Sequence, residues 1–471
     1  MGLGLHGGGL ATVRYLCARG AEVTVTDLRS QRELDNSLQR LAGLPLRLVL
    51  GGHNESDFRS ADFVVKNPAV PRSSGFLAMA RRIETDISLF LRRCPAQVIA
   101  VTGTKGKSTT AACIHHILTR LGRSSYLGGN ITVSPLEFAD DPSDGQFVVL
   151  ELSSFQLGDL ALVSDGLQIL RPKVALITNL MADHMDYYAS FEDYFDDKSV
   201  VFRGQTDDDF TLYNHDDANG RRYAALTPAR PIPLARTAAA FASDDTAAWL
   251  DRGCGWFRPP DRSTAQPELL VPHAVRLIGA HNRTNLLFAA SAVRCLGLHA
   301  DRIAAAVADF GGVPHRMERV ATLDGVDYYN DSAATIAEAA LAAVQSFACP
   351  VHLIAGGSDK GLDVSLFGTI AARVASLYLL SGTATERITA HLHRSGAAWY
   401  GPFDTVDTAV AAARGNARPG DAVVLSPGCA SFGMFRNEFH RGDVFRSAVR
   451  QLAHRAPRGA HIGGHTDAAD H

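Results

Sequence analysis

The sequence predicts an α/β protein of three units, each built on a mainly parallel sheet. Three observations predict it. Short apolar runs of strand character, such as QVIAVT at 97–102, FVVL at 147–150 and VALI at 174–177, alternate with segments of helical spacing. These runs end in turns rich in Gly, Ser, Asn and Asp, which places polar groups at the carboxyl edge where open α/β sheets take ligands. At 471 residues the chain is also too long for one core. The expected divisions are 1–93, 94–311 and 312–456, followed by a disordered tail at 457–471.

The first unit opens with GLGLHGGG, continues as a helix through Leu16 and a strand ending at Asp27, and has a further strand near 63–66. Gly2, Gly4 and Gly7, with Asp27 about 20 positions on, form a dinucleotide-type fingerprint that by itself admits an NAD-dependent oxidoreductase. The apolar strand that normally precedes such glycines is nearly absent, because they begin at position 2. Without it the sheet loses its central member, unless another segment fills the slot. The second unit alternates strands and helices, including a helix at 191–202. The stretch 221–277, rich in Pro, Ala and Asp, is expected to be a peripheral insertion. From Gly312 a third unit follows, with strands in VDYYND, CPVHLIAGG, SLYLL and DAVVLSPG.

VTGTKGKSTT, at 101–110, joins a buried strand to a helix over 108–122, whose Ala112, Ile114, Ile117, Leu118 and Leu121 recur at helical spacing. Gly103 and Gly106 lack a Cβ, so the N–H groups of the Gly103–Thr104–Lys105–Gly106 turn can approach phosphate oxygens, and the helix N-terminus favours negative charge. Lys107 suits β/γ-phosphates, and Ser108 suits magnesium. Gly103 stands three residues before Gly106, where the common G-x-x-x-x-G-K-[ST] loop has five. A bare glycine turn has no need of the lysine–hydroxyl pair. The central unit is therefore expected to be a P-loop ATPase-type sheet that uses ATP, for which an NAD-dependent oxidoreductase has no use.

The 46 Lys+Arg nearly balance the 49 Asp+Glu, which argues against nucleic-acid or membrane partners. The seven cysteines are scattered and never in CxxC spacing, which fits a reduced, cytoplasmic protein without structural zinc. A signal peptide or a spanning apolar run is not visible.

Other polar clusters each have two readings. Glu151, ending the strand at 147–150, is a natural magnesium ligand or a solvated strand-end carboxylate. Asp183, His184 and Asp186 reach the same sheet edge, where His184 is a ligand or a polar loop histidine. Lys198 follows Asp196 and Asp197 on a helix, where a surface salt bridge is the plain alternative. Asn282 and Asp331 fit helix caps, and Arg316 a surface charge, unless the motifs act jointly.

Taken in order, GLGLHGGG, VTGTKGKSTT, GGN, ELSSFQL, DHMDYY, GAHN, PHRME, NDS, IAGGSDKG and SPGCASF resemble the Mur ligases of peptidoglycan precursor synthesis, over nearly the whole chain. ELSSFQL and SPGCASF point to the D-glutamate-adding branch, whereas the phosphate loop alone also fits folylpolyglutamate synthases. The resemblance implies a three-domain, ATP-dependent amide ligase that joins glutamate to UDP-N-acetylmuramoyl-L-alanine as a monomer. It implies that the N-terminal unit is Rossmann-like and binds the UDP part, through Leu5, His6, Asp27 and Arg29, with Asn130 also on this substrate. Gly103, Thr104, Lys105, Gly106, Lys107, Ser108 and Thr109 would hold ATP phosphates, Asn282 and Asp331 its adenosine, and Arg316 its phosphate side. Ser108, Glu151, His184 and a carbamylated Lys198 would hold two Mg²⁺. Lys107, His184 and Lys198 would be catalytic, His184 by aiding amine deprotonation. Thr335, Lys360, Ser431 and Phe432, on a C-terminal Rossmann-like domain, would grip the glutamate.

The chain departs from that family pattern at Ala333, where lysine is usual, at Thr132, where glycine is usual, and at Glu438, where an aromatic residue is usual. Since these changes affect the amino-acid side, an L-glutamate-adding or folate-type ligase and a catalytically silent nucleotide-binding protein are the rival readings.

Overall fold

The computed structural model describes residues 1–4, 8–131, 133–185, 187–242, 245–260, 266–277, 279–359 and 364–455. Leu5, His6, Thr132, Asp186, Lys360 and the tail at 457–471 lie outside the described residues. The chain forms two compact units, Met1–Phe310 and Gly311–His471.

In the first unit, β1 (Val23–Asp27) pairs in parallel with β2 (Leu46–Leu50), and β3 (Val64–Val65) with β4 (Ile83–Glu84). These are two separate two-stranded pieces. Among the described residues no strand precedes β1, and Met1 and Gly2 bond to the two pieces. The Gly2 N–H donates to the Thr26 carbonyl at 2.8 Å, and the Asn67 N–H to the Met1 carbonyl at 3.1 Å. The helix Gly8–Cys17 buries Leu10 and Val13 with Leu3, Val25, Leu34 and Leu41, and turns Ala11 and Tyr15 toward the neighbouring core.

That core belongs to a nine-stranded sheet. Its strands are β5 (Gln97–Thr102), β6 (Ser125–Gly129), β7 (Phe147–Glu151), β8 (Val174–Ile177), β9 (Phe210–Asn214), β10 (Arg230–Ala235), β11 (Ala247–Asp251), β12 (Cys254–Arg258) and β13 (Glu268–Val271). The order is β13-β12-β11-β10-β9-β8-β5-β7-β6. β5, β7 and β8 are continuous apolar runs because both faces are covered. Val98, Ala100, Val148 and Leu150 pack with Leu157, Leu160, Phe195 and Val201 of the helices Ser154–Leu160 and Phe191–Arg203. The stretch 221–277 is not an insertion beside the sheet, as expected, but its continuation through β10 to β13. Its Pro and Asp content masked short strands whose Ala247, Ala248, Phe257 and Leu270 are buried.

The segment before β5 is fastened to this sheet by charge. Lys66 Nζ donates to Asp159 Oδ2 at 2.5 Å, both side chains fully buried, and Arg72 stands 3.8 Å from the other Asp159 oxygen. Burial lifts the Asp159 carboxyl to about 6 and lowers Lys66. Replacing Lys66 with methionine leaves that carboxylate nearly alone, which should cost about 3–5 kcal/mol in urea unfolding; a Lys66→Met/Asp159→Leu pair should recover most of it. An unchanged midpoint for Lys66→Met would remove the pair from the stability account.

The second unit holds β14 (Glu318–Leu323), β15 (Val326–Asn330), β16 (Val351–Gly356), β17 (Ser376–Leu380), β18 (Tyr400–Phe403) and β19 (Ala422–Leu425), in the order β14-β15-β19-β16-β17-β18. Only β14 runs antiparallel. β15, β19 and β16 are neighbours, so NDS, SPGCASF and IAGGSD all emerge at one carboxyl edge. Among the described residues no helix is long and apolar enough to cross a membrane.

Candidate active site

The turn 103–106 leaves β5 and enters the helix Lys107–Arg120. Gly103 and Gly106 have φ of +136° and +87°, and a Cβ would stand 2.1 Å from Thr178 Oγ1 at the first and 2.3 Å from Asn285 Oδ1 at the second. Both must be glycine. The loop is braced from the end of β8: Thr178 Oγ1 donates to the Lys105 carbonyl at 2.6 Å, and the Lys105 N–H donates to Asn179 Oδ1 at 2.9 Å. Thr104 Oγ1 meets the Tyr194 hydroxyl at 3.0 Å. Gly106 at the N-cap makes no side-chain cap to the helix N-terminus, an end whose dipole favours an anion. Lys105 is exposed and pairs with Asp183 at 3.3 Å.

Two lysines converge on one carbonyl. Lys107 Nζ donates to the carbonyls of Gly103 and Thr104, both at 3.0 Å, and Lys198 Nζ donates to the Gly103 carbonyl, also at 3.0 Å. Lys198 is not the surface residue its acidic neighbours suggested; it is 2% exposed and lies 4.8 Å from the Tyr194 ring centre. Burial, then the Lys107 charge, hold its amine well below the ordinary lysine range, against Asp183, Asp197 and Glu151. The Asp197 carboxylate turns away to Arg72 and to the Tyr188 hydroxyl.

Glu151 closes β7, 1% exposed. Its Oε1 accepts from Asn130 Nδ2 at 3.1 Å, while Oε2 is buried without a hydrogen-bond partner. An orphaned buried carboxylate oxygen fits a divalent cation. His184 is exposed on the same edge, at φ +57°, with its ring 4.9 Å from that of Phe155. Among the described residues no three His, Cys, Asp or Glu side chains are grouped to hold a metal. Asn282, 7% exposed, lies in the first turn of the helix Ala280–Cys295 and accepts from Asn285 at 3.3 Å.

Asp27 ends β1 almost fully buried. It accepts from the Gly4 N–H at 3.2 Å and from the Arg29 N–H at 2.9 Å, with the Arg29 guanidinium 3.6 Å away. It therefore holds the start of the glycine segment.

In the second unit, Asp331 accepts from Ser426 Oγ at 2.7 Å and from the Met317 N–H at 3.1 Å, and burial lifts its carboxyl to about 6. This ties the exposed Arg316 loop to the NDS turn, as does the Ala333 N–H on the His315 carbonyl at 2.9 Å. Backbone bonds between Ser358 and Ala430, and from Gly428 to Ala334, bring Thr335, Ser431 and Phe432 to one edge. Ser431 is buried; Phe432 is 53% exposed.

Family models match three consecutive regions: "Mur ligase MurD-like, N-terminal domain" at 1–88, "Mur ligase middle domain" at 101–293 and "Mur ligase, glutamate ligase domain" at 315–429. A relative from Roseiflexus sp. (strain RS-1), named UDP-N-acetylmuramoylalanine--D-glutamate ligase, is 42% identical and covers 96% of this chain and 98% of its own. The chain belongs to the Mur ligase family. A second ligase of that name, from Treponema pallidum (strain Nichols), is 37% identical, with 96% of each chain covered. Among solved structures, a Mur ligase titled UDP-N-acetylmuramate-alanine ligase MurC, from Thermotoga maritima, shares the fold with TM-score 0.57 at 17% identity, over 96% of this chain and 98% of that one.

Several residues of this Mur ligase site escaped sequence reading. Thr178, Asn179 and Tyr194 brace the phosphate loop from 73 or more positions away, and Asn285 Oδ1 fills the space beside Gly106. Arg441 is fully buried beneath the second unit's edge, donating to the carbonyls of Cys429 and Ser332 at 3.1 and 2.9 Å and to Ser332 Oγ at 3.0 Å. Burial brings its guanidinium down to about 10, so it remains a cation at neutral pH beside Ala333, where the family usually supplies lysine.

Proposed function

We propose that the protein is an ATP-dependent amide ligase of the cytoplasm, monomeric, joining D-glutamate to UDP-N-acetylmuramoyl-L-alanine. The observation that carries this reading is the convergence of Lys107 and Lys198 on the Gly103 carbonyl, above an uncapped helix N-terminus and beside the orphaned oxygen of Glu151. Such a site takes a nucleoside triphosphate by its phosphates.

The chemistry follows from charge. The L-alanine carboxylate of the acceptor attacks the γ-phosphorus of ATP; the bond to the β-phosphate oxygen breaks, giving an acyl phosphate and ADP. The glutamate amine, as the free base, then attacks the acyl carbon, and inorganic phosphate leaves with the C–O bonding pair as the amide forms. Lys107 and the loop N–H groups offset charge on the phosphoryl group. Asn282 and Asp331 serve the adenosine and Arg316 the phosphates. Asp27, Arg29 and Asn130, with Leu5 and His6, serve the UDP-bearing acceptor; Thr335, Ser431 and Phe432, with Lys360, serve glutamate, and His184 assists loss of the amine proton. Ser108, Glu151, His184 and a carbamylated Lys198 would hold Mg²⁺, which when bound neutralises phosphate charge and orients the transfer.

Phosphate release, followed with ATP, Mg²⁺ and UDP-N-acetylmuramoyl-L-alanine, tests the reading. D-Glu should drive release at least about tenfold faster than L-Glu, the scale expected when one pocket contact is lost. Equal or inverted rates would reassign the amino acid, and no release with either would leave a silent nucleotide-binding protein.

A further inference from the structure

A chain of charge runs behind the proposed cation ligands. Arg72 lies in the segment between β3 and β4, and its guanidinium crosses to the helix Phe191–Arg203 that carries Lys198. Nη1 donates to Asp197 Oδ1 at 3.0 Å and Nη2 to Asp197 Oδ2, a two-pronged bond to the residue next to Lys198. Nε donates to the Tyr187 hydroxyl at 3.4 Å, and the Tyr188 hydroxyl donates to Asp197 Oδ2 at 2.8 Å. One arginine–carboxylate pair thus ties two consecutive tyrosines of the His184 loop to the helix of Lys198.

The tyrosines pass that hold on to the histidine. The Tyr187 ring meets Phe155 edge-on at 4.6 Å, the Tyr188 ring lies nearly parallel to Phe155 at 5.9 Å, and Phe155 packs on the His184 ring at 4.9 Å. The N–H groups of Tyr187 and Tyr188 both donate to the His184 carbonyl, at 3.0 and 3.1 Å. His184 needs such support. Its φ of +57° lies in the left-handed region, which a residue with a Cβ keeps only where its surroundings impose it.

The neighbouring helix Ser154–Leu160 makes room for the pair. A Cβ on Gly158 would stand 2.3 Å from Asp197 Oδ2, so a side chain there would push the carboxylate off Arg72. Beside it, Asp159 Oδ1 stands 3.8 Å from Arg72 Nε while Oδ2 takes Lys66, which leaves the guanidinium between two carboxylates. The glycine, the two-pronged bond and the tyrosine hydroxyl all serve the orientation of one carboxylate, that of Asp197.

We infer that Arg72, with Asp197, is a positioning residue of the cation site: the pair fixes the His184 loop against the Lys198 helix, so that both ligands are held in place before a cation arrives. Outer partners of this kind orient metal ligands, and their loss weakens metal binding by about 10–100-fold. The inference rests on the reading of Glu151, His184 and Lys198 as cation ligands.

Mn²⁺ binding to the full chain, read from the EPR signal of the free ion, tests it without turnover. Arg72→Met should weaken binding by about tenfold or more. Asp197→Ala should do the same, and the double variant should be no worse than either single one, because the two residues act as a unit. Gly158→Ala improves helix propensity yet crowds the carboxylate, so it should weaken binding too, which a merely structural role would not predict. Where Arg72→Met does not fold, Arg72→Lys decides instead: an ammonium cannot grip both oxygens, and its affinity should fall below that of the unsubstituted chain. Without metal, the His184 ring proton resonance, assigned by its absence in His184→Gln, should shift or broaden in the same variants. Unchanged Mn²⁺ affinity in the Arg72 variant that folds, additive losses in the double variant, or an unaltered His184 resonance each overturns the inference. If the unsubstituted chain binds no Mn²⁺, the cation site itself fails and the inference with it. If it binds Mn²⁺ and the Arg72 variant binds as tightly, the cation site stands and only the positioning role is lost.

Discussion

Replacing Lys107 with alanine should lower turnover by about 10³-fold while the protein still folds, the loss expected when one preorganised charge on a transferring group is removed. The fold should survive because the loop does not depend on this side chain. Thr178, Asn179 and Tyr194 hold the same turn by four separate contacts. Lys107 instead folds back onto the carbonyls of Gly103 and Thr104, a parking position that a phosphate would displace. Arginine should not substitute, since a planar fork does not fit two carbonyls of one tight turn. The change should also relieve Lys198, whose amine is depressed partly by the Lys107 charge. Steady-state phosphate release and circular dichroism measure the two sides; full turnover in Lys107→Ala would move the phosphate site elsewhere.

The elements legible in the sequence are those whose own residues decide them. β5, β7 and β8 are apolar runs buried on both faces, and the glycine–lysine–hydroxyl turn carries its reason in its chemistry. β14 and β18 were missed because they are edge strands of half-exposed residues, one of them YGPF, with no alternation to detect. The bracing residues were missed for another reason. Asn285 matters only because Gly106 leaves room for it, and Arg441 only because two distant loops expose carbonyls to it. Lys198 shows the same limit from the other side: its acidic neighbours suggest a solvated face, yet Asp197 is engaged by Arg72 and the amine is driven inward. Local pattern locates the strand ends, and tertiary contact decides which polar group there is strained.

Lys198→Ala should reduce turnover by about 10³-fold, and short carboxylates such as acetate or formate should restore part of it, since a metal's charge stabilisation is worth several kcal/mol. The reasoning starts from an amine that is 2% exposed and held well below its ordinary range by burial and by Lys107. Depression of the amine enlarges the share of its neutral form, and only the neutral form adds CO₂. The addition joins nitrogen to carbon and releases a proton, turning a cation into an anionic oxygen donor. A protonated lysine cannot ligate a cation, and among the described residues no three His, Cys, Asp or Glu side chains are grouped to hold one. The adduct would place an anionic oxygen donor where burial already disfavours positive charge. Lys198→Arg should be as slow as the alanine variant and should not respond to acetate, because it fills the space without an anion. In ¹³C-bicarbonate the unmodified chain should show a carbamate carbonyl resonance that Lys198→Ala lacks, and acidification should remove it as the amine is protonated. If Lys198→Ala turns over normally, or if the resonance persists in it, the buried amine serves only to hold the Gly103 carbonyl.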